Sequence, residues 1–527
     1  MFAILQYFSC VVVIKIVLYL CHNLKQIFTL KPLFKINLFI TAARSGLLLL
    51  LFGILILTAC QKDILNTSPG FKLTFSNDSI IFDTVFTSLG SATHRLKVYN
   101  PGNSTIRISD IRLEKGAVSD FRINVDGEAT FDKQNVEIRG GDSLFIFARV
   151  TIDPNNAANP FVVEDRLLFN TNGNKQSIKL IAWGKNAHYI LADHHTPGFP
   201  SYKIVADSLE NVQWTNKKPI VIYGFAVINS YGSLNIAAGT KIYFHKNSGL
   251  WVYANGKLTV SGTREQPVIF QGDRPETDYA DLPGQWDRIW IMEGPAGRDD
   301  VIKNAIIKNG FIGIQAESFF QKTKNKLLLK NVVIENMNGA GILSKDYNID
   351  AQNLVVANCG GYCLALTGGG NYHFIQSTLV NYWPYSIRNN PAVMLTNFLP
   401  DSNNQPVPSP MHFTLGNSII YGYNDNEFGT GMVAGADSAY FLNHSLVKTR
   451  LKMNNPAYFN QIIKNKDPKF MNIENQDYRL DTLSPAIGKG DPAISAAAPY
   501  DLLGNPRRLA PDLGAYQFVP GQSKKLK

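Results

Sequence analysis

The densest collection of acidic, basic and aromatic side chains in this 527-residue sequence lies between Asp273 and Asp300. It holds Asp273, Arg274, Glu276, Asp278, Asp281, Asp287, Arg288, Glu293, Arg298, Asp299 and Asp300, with Tyr279, Trp286 and Trp290 among them. Two chemistries use such groups. Elimination from a uronate needs a Lys, Arg or His base beside the carboxylate, often with Ca²⁺ held by acids, and glycoside hydrolysis needs two carboxylates at a set separation. Strand alternation puts Trp286, Arg288 and Trp290 on one side, with Ile289 and Ile291 on the other. Asp287 and Arg288 are the catalytic candidates. Trp286, Trp290, Asp273 and Asp278 are the candidates for a saccharide-binding groove. A solvated loop with Trp packed over it is the plainer alternative, and binding ranks ahead of catalysis.

The remaining reactive side chains carry less. His245, His373, His412 and His444 fall in or beside expected strands and read as packing or surface residues. Asp193-His194-His195 lacks further ligands for a metal and reads as a loop. Of five cysteines, Cys10 and Cys21 lie in the leading segment. Cys359 and Cys363 (CGGYC) read as small buried residues flanking a turn, with a local disulfide as the alternative. No metal and no cofactor are expected, and Ca²⁺ enters only with a lyase.

The formal charge of +10 overstates the basic character, because the first 59 residues carry Lys15, Lys25, Lys31, Lys35 and Arg44 and no acid. The rest holds 46 basic against 41 acidic residues, with no basic run to mark a nucleic-acid partner. A composition of 45% hydrophobic and 17% charged residues excludes a disordered chain and a polytopic membrane protein. Gly46 to Thr58 is an apolar stretch of signal-peptide length behind Arg44. Leu57-Thr58-Ala59-Cys60 closes it and resembles the lipobox of bacterial lipoproteins. That resemblance implies cleavage before Cys60, acylation of its thiol and anchorage in a membrane. Gln61-Lys62-Asp63 is similar to the export signals of Bacteroidetes-type surface lipoproteins, which implies an outer-membrane location facing the exterior. The second apolar run, Phe8 to Cys21, points to an over-extended gene start.

The elements that must position these residues are β-strands. From Phe71 to Ala187, alternating segments are divided by turns such as Asn100-Pro101-Gly102-Asn103 and Asn172-Gly173-Asn174. They predict a β-sandwich of about seven strands, similar to the immunoglobulin-like modules of bacterial surface proteins. Beyond it a phrase recurs with starts at Asn304, Asn331, Asn353, Gln376, Asn417 and Asn443, spaced 27, 22, 23, 41 and 26 residues. Its β-branched strands at this period predict a solenoid, each coil about 4.8 Å above the last. Asn309, Asn336, Asn358 and Asn381, at the ends of four phrases, are expected to stack as an asparagine ladder.

The segments Gly232–Phe244, Leu250–Gly256, Lys257–Thr263 and Gln266–Phe270 closely resemble the opening coils of right-handed parallel β-helix proteins of the pectin-lyase-like superfamily. Pro511-Asp512-Leu513-Gly514-Ala515-Tyr516 and the motifs before it are similar to a choice-of-anchor-like C-terminal module, implying a cap in which Asp512, Gly514 and Tyr516 close the last coil. The expected order is a signal peptide (1–59), a lipidated tether (60–70), an immunoglobulin-like sandwich (71–187), a linker (188–215), a right-handed parallel β-helix (216–450) and a C-terminal cap (451–527). The superfamily contains polysaccharide lyases and hydrolases, but fold does not transmit chemistry. The polygalacturonase-type series of paired Asp, Gly-His-Gly and Arg-Ile-Lys is absent. The expected function is a lipid-anchored, non-enzymatic surface protein with a glycan as leading ligand. A lyase or hydrolase of acidic polysaccharides and a purely adhesive protein are the alternatives. Oligomeric state is not readable.

Overall fold

The computed structural model describes residues 65–86, 91, 93–151, 162–185, 187–274, 279–507 and 509–521. The segment read as a signal peptide, Cys60 and Asp278 lie outside the described residues. The fold is all-β, and the helical turns among the described residues are Gly116–Val118 and Pro492–Ser495.

Two sheets build the N-terminal unit. One is six-stranded and runs Leu65–Asn66, Thr105–Leu113, Val162–Thr171, Asn174–Lys185, Ser79–Phe86, with Asp132–Ile138 also along Thr105–Leu113. The other is five-stranded, in the order Thr74–Phe75, His94–Tyr99, Ser143–Val150, Phe121–Val125, Glu128–Thr130. Alternation makes one side of each strand apolar, so Leu96, Val98, Phe121, Ile123 and Ile146 meet Ile106, Ile108, Leu167, Phe169 and Leu180 in one core. The strands outnumber the expected seven because several are edge pieces of two or three residues, too short to show alternation. Asn172 and Gly173 (φ 51° and 83°) form the two-residue hairpin that joins the paired Thr171 and Asn174.

From His188 onward the chain forms a sheet of 23 strands. Ile220–Tyr223, Phe225–Ile228 and Ser233–Ala237 pair in parallel with Lys241–Phe244, Gly249–Val252 and Lys257–Ser261, each strand meeting the third one along. The chain thus coils with three strands per turn, and three walls result. The first carries Ile220–Tyr223, the second Phe225–Ile228 and the third Ser233–Ala237. Inward residues of all walls, such as Ile222 and Phe270 of the first, Leu250 and Ile289 of the second and Leu234 and Leu258 of the third, form one continuous core.

The coil starts earlier and ends later than the sequence suggests. Residues 188–215, read as a linker, contain His188–Leu191, Tyr202–Ala206 and Asn211–Trp214, which stack in parallel on the next turn. The polar Asp193–His195 loop interrupts them and hides their pattern. Phe459–Lys464 adds a further parallel strand, and Leu451 and Met453 pack against that end of the core.

The C-terminal segment lies along the side of the coil, where the sequence suggests an end cap. Tyr478, Leu480, Ala486, Leu513 and Ala515 pack on Val355, Ala357, Val380, Ile419 and Leu446, which are the outward residues of the first wall. Gly514 (φ 92°) donates its amide to the Asn417 carbonyl at 2.8 Å, and a Cβ there would lie 2.7 Å from Thr378 Oγ1. Asp512 accepts the Gly488 amide at 2.7 Å and the Phe518 amide at 2.6 Å. Gly514 therefore fastens the segment to a middle coil, while Asp512 ties the segment to itself. The cause is composition, because an apolar outer wall needs cover.

Single left-handed residues turn the chain from the third wall to the first. They are Asn304, Asn331, Asn353, Gln376, Asn417 and His444, with φ of 44–56°. Here lies the asparagine ladder. Asn304 Nδ2 donates to the Gly262 carbonyl at 2.8 Å, Asn331 Nδ2 to Asn304 Oδ1 at 2.9 Å, and Asn353 Nδ2 to Asn331 Oδ1 at 2.9 Å. Arg507 Nη2 ends the chain on Asn353 Oδ1 at 2.7 Å. The expected ladder residues make other bonds. Asn309 donates to the Ala280 carbonyl, Asn336 to Gln476, and Asn381 to the Cys359 carbonyl, while Asn358 accepts from Tyr478. Their corner admits long insertions and the C-terminal segment, whose polar groups reach Asn309, Asn336 and Asn358, while Asn381 bonds the backbone of the preceding turn. The corner at Asn304 is one residue long, so in-register strands hold successive amides one above another.

Candidate functional site

The outer surface of the second wall brings aromatic and charged side chains together. Trp251 and Trp290 are paired residues of neighbouring turns, on Gly249–Val252 and Ile289–Met292, and both point outward between core-facing neighbours. Their indoles stack at 4.7 Å and 7°. Phe199 stacks on Trp251 from two turns earlier (6.0 Å, 12°), and Tyr202 and Tyr253 meet Trp251 edge-on. Phe320 meets Tyr253 edge-on at 5.9 Å and touches Phe319 at 4.9 Å. Phe199, Phe319 and Phe320 are 51%, 57% and 61% exposed. The buried Glu293 carboxylate fixes the Phe loop by accepting the amides of Phe319 (2.8 Å) and Phe320 (3.2 Å).

A polar chain continues the same wall. Glu317, only 4% exposed, accepts from Trp290 Nε1 at 2.6 Å and from Gln315 Nε2 at 2.9 Å, and pairs with Lys345 at 3.1 Å. Arg288 donates to Gln315 Oε1 and, at 2.8 Å, to Asp287 Oδ1. Parallel register places Trp290 beside Gln315, and Glu317 beside Lys345. The arrangement is an aromatic stack, with Trp251 buried inside it, ending in a bonded run of polar and charged side chains.

Of the candidate residues, Asp287, Arg288 and Trp290 meet here and the others do not. Trp286 is 1% exposed and lies in the coil core, stacked on Phe244 at 4.4 Å, with Nε1 donating to the Lys308 carbonyl. It precedes the strand and forms only an isolated bridge to Gly310, so the alternation of residues 289–292 does not reach back to it. Asp273 is buried near the first wall and bonds His245 Nδ1 at 2.7 Å, with Tyr223 stacked on that imidazole. Asp281 offers its carbonyl to Tyr385, and Arg298 bonds the Asn255 and Gly232 carbonyls. Asp300 is enclosed, accepting the Leu258 amide at 2.8 Å and Asn325 Nδ2 at 3.1 Å, and burial pushes its carboxyl up to about 7. The acids of the patch are thus dispersed over several corners.

Trp251, Gln315, Glu317, Phe319, Phe320 and Lys345 escaped the sequence reading. Their one signal is the pair Phe319-Phe320 following a strand, and only stacked turns make neighbours of residues 251, 290 and 315. Among the described residues, no group of three or more His, Cys, Asp and Glu could hold a metal ion, and Cys359 and Cys363 are free and buried. No described helix is long and apolar enough to cross a membrane. Concavities of about 590 and 570 Å³ lie elsewhere, on the sandwich and between the first wall and the C-terminal segment.

No protein-family model and no curated protein match this chain. Among solved structures, similar ones include the periplasmic chaperone SfaE, at 14% identity over 21% of this chain with a TM-score of 0.16; the chain spans 58% of that protein. The PapD-like domain 7 of human CEP192 is 11% identical, with 24% of this chain and 94% of that domain covered, at 0.16. A family 123 glycoside hydrolase from Clostridium perfringens is 8% identical, with 26% of each chain covered, at 0.17.

Proposed function

We propose that the chain is a lipid-anchored surface protein whose coil binds a glycan on its second wall without transforming it. In this reading Cys60 carries the acyl anchor in the outer membrane, the sandwich is an immunoglobulin-like spacer, and the coil is a right-handed β-helix of the pectin-lyase-like kind. The observation that carries the binding role is the strip Phe199–Trp251–Trp290, flanked by Phe319 and Phe320. The exposed rings of Phe199, Phe319 and Phe320, backed by the buried Trp251, suit the apolar faces of sugar rings, and the adjacent Arg288 suits hydroxyls and carboxylates. Binding is favoured over turnover because Glu317, Glu293 and Asp300 already accept bonds that hold loops and rings in place. Nothing comparable favours a lyase.

The test is retention of the protein on immobilised acidic and neutral glycans, run beside an assay for new reducing ends and unsaturated uronate, with and without Ca²⁺. Retention on one glycan, weakened about tenfold (about 1.4 kcal/mol) by Phe320→Ala, is the expected result. Turnover that disappears in Arg288→Ala would overturn it in favour of an enzyme.

A further inference from the structure

The two outer faces of the sandwich differ in charge. On the six-stranded sheet, bases and acids alternate and pair, as in Arg107–Glu137 (2.7 Å), Arg112–Asp110 (2.9 Å) and Lys179–Glu164 (3.1 Å). On the five-stranded sheet, the register turns Arg95, Lys97, Arg122 and Arg149 outward together with Tyr99, Phe145 and Phe147. The strands of that face contribute no outward acid, and among the described residues none of its four cations makes an ion pair. Arg122 and Arg149 stand directly opposite each other on neighbouring strands, a like-charge pairing that destabilises a sheet unless a counter-charge arrives. Phe145 and Phe147 are exposed between the cations. Lys97 Nζ and the Arg95 guanidinium both lie 5.3 Å from the Phe145 ring centre, and Arg122 lies 4.8 Å from that of Phe131. Asp132, from the six-stranded sheet, lines a concavity at the edge of this face together with Arg122 and Arg149.

We infer that this face docks on an anionic membrane surface, its cations among lipid phosphates and its phenyl rings at the acyl boundary. The inference rests on acylation of Cys60. From Cys60 to Leu65 there are five residues, which span at most about 17 Å. Leu65–Asn66 belongs to the six-stranded sheet, and packed sheets lie about 10 Å apart. The tether is therefore long enough to let the five-stranded sheet lie flat on the headgroups and too short to lift the sandwich clear of them. A soluble polyanion would satisfy the cations but offers no apolar layer to Phe145 and Phe147, whereas a bilayer interface supplies both.

The experiment uses the acylated full-length protein in vesicles of phosphatidylcholine with phosphatidylglycerol. Nitroxide labels at Phe147→Cys and, on the opposite sheet, Leu168→Cys report proximity to a paramagnetic lipid headgroup, since Cys359 and Cys363 are buried from the label. The label at 147 is expected near the headgroups and the one at 168 away from them. Arg122→Glu and Arg149→Glu are expected to lower the docked-to-undocked ratio about fivefold or more each, while the protein stays on the vesicles. Equal proximity of the two labels, or no effect of the reversals in a protein that keeps its acyl mass, overturns the docking face and leaves the anchor intact. A protein without acyl mass that washes off overturns the anchor, and the docking face with it.

Discussion

Asp300 differs from the other acids of its patch in having lost water on every side. Burial is the main cause of its carboxyl rising from the ordinary 3.8 to about 7, outweighing the bonds from Leu258 and Asn325 and the nearby Lys257 and Arg298 charges. The folded protein thus holds this proton up to about pH 7, whereas the unfolded chain releases it near 3.8. Between those values the native state binds more protons, so this group's contribution is full below pH 3.8 and lost as pH rises through 7. Unfolding free energy measured against pH should fall over that window by about 4 kcal/mol more in the wild type than in Asp300→Asn. Individual site residues were unevenly legible. Trp290 was readable because Ile289 and Ile291 bracket it, whereas Trp286 sits at a corner where two-residue periodicity has no meaning. Glu317 gave no signal, since a Gln-Ala-Glu ending on a strand looks the same whether or not a Trp from the preceding turn bonds it.

At the level of strands and corners, the repeated phrase spelled out the coil, because inward Ile and Val recur with the turn. It left the ladder's position ambiguous, as three of the phrases have an Asn at both ends and both are left-handed, as in Asn331 (φ 56°) and Asn336 (φ 57°). What decides is which corner is free of insertions, a property of neighbouring turns. Asn331→Gly keeps the left-handed backbone accessible and removes only the amide, so Asn304 and Asn353 each lose one ladder bond. It should cost about 1–2 kcal/mol. Asn336→Gly, which breaks one long bond to Gln476, should cost less than half of that. Chemical denaturation of both variants checks the order, and equal costs would contradict the ladder's placement.

For the whole molecule, the same strands that fill the core also present Val355, Val380, Ile419 and Leu446 outward. A string such as Asn353-Leu-Val-Val-Ala-Asn358 reads as uniformly apolar and does not say that one side awaits a lateral cover, which is why an end cap looked natural. Truncation after Lys466 distinguishes the two. Loss of a lateral cover exposes the first wall over several turns, so the truncated protein should associate at micromolar concentration and bind a hydrophobic dye, as seen by light scattering and fluorescence. Loss of an end cap would leave those side chains buried and the dye dark.

The lateral segment also bears on how the molecule takes load. A bare solenoid frays from its end, one turn at a time, because each turn holds only its neighbours. Here Gly504 packs against Arg264, Arg507 grips Asn353, and Gly514 is tied to Asn417. Those anchor points belong to turns far apart along the coil, so the segment works as a splint across them. On the proposed reading, drag on a glycan held by the second wall would be shared among these turns instead of falling on one, so the coil would resist unravelling as a unit.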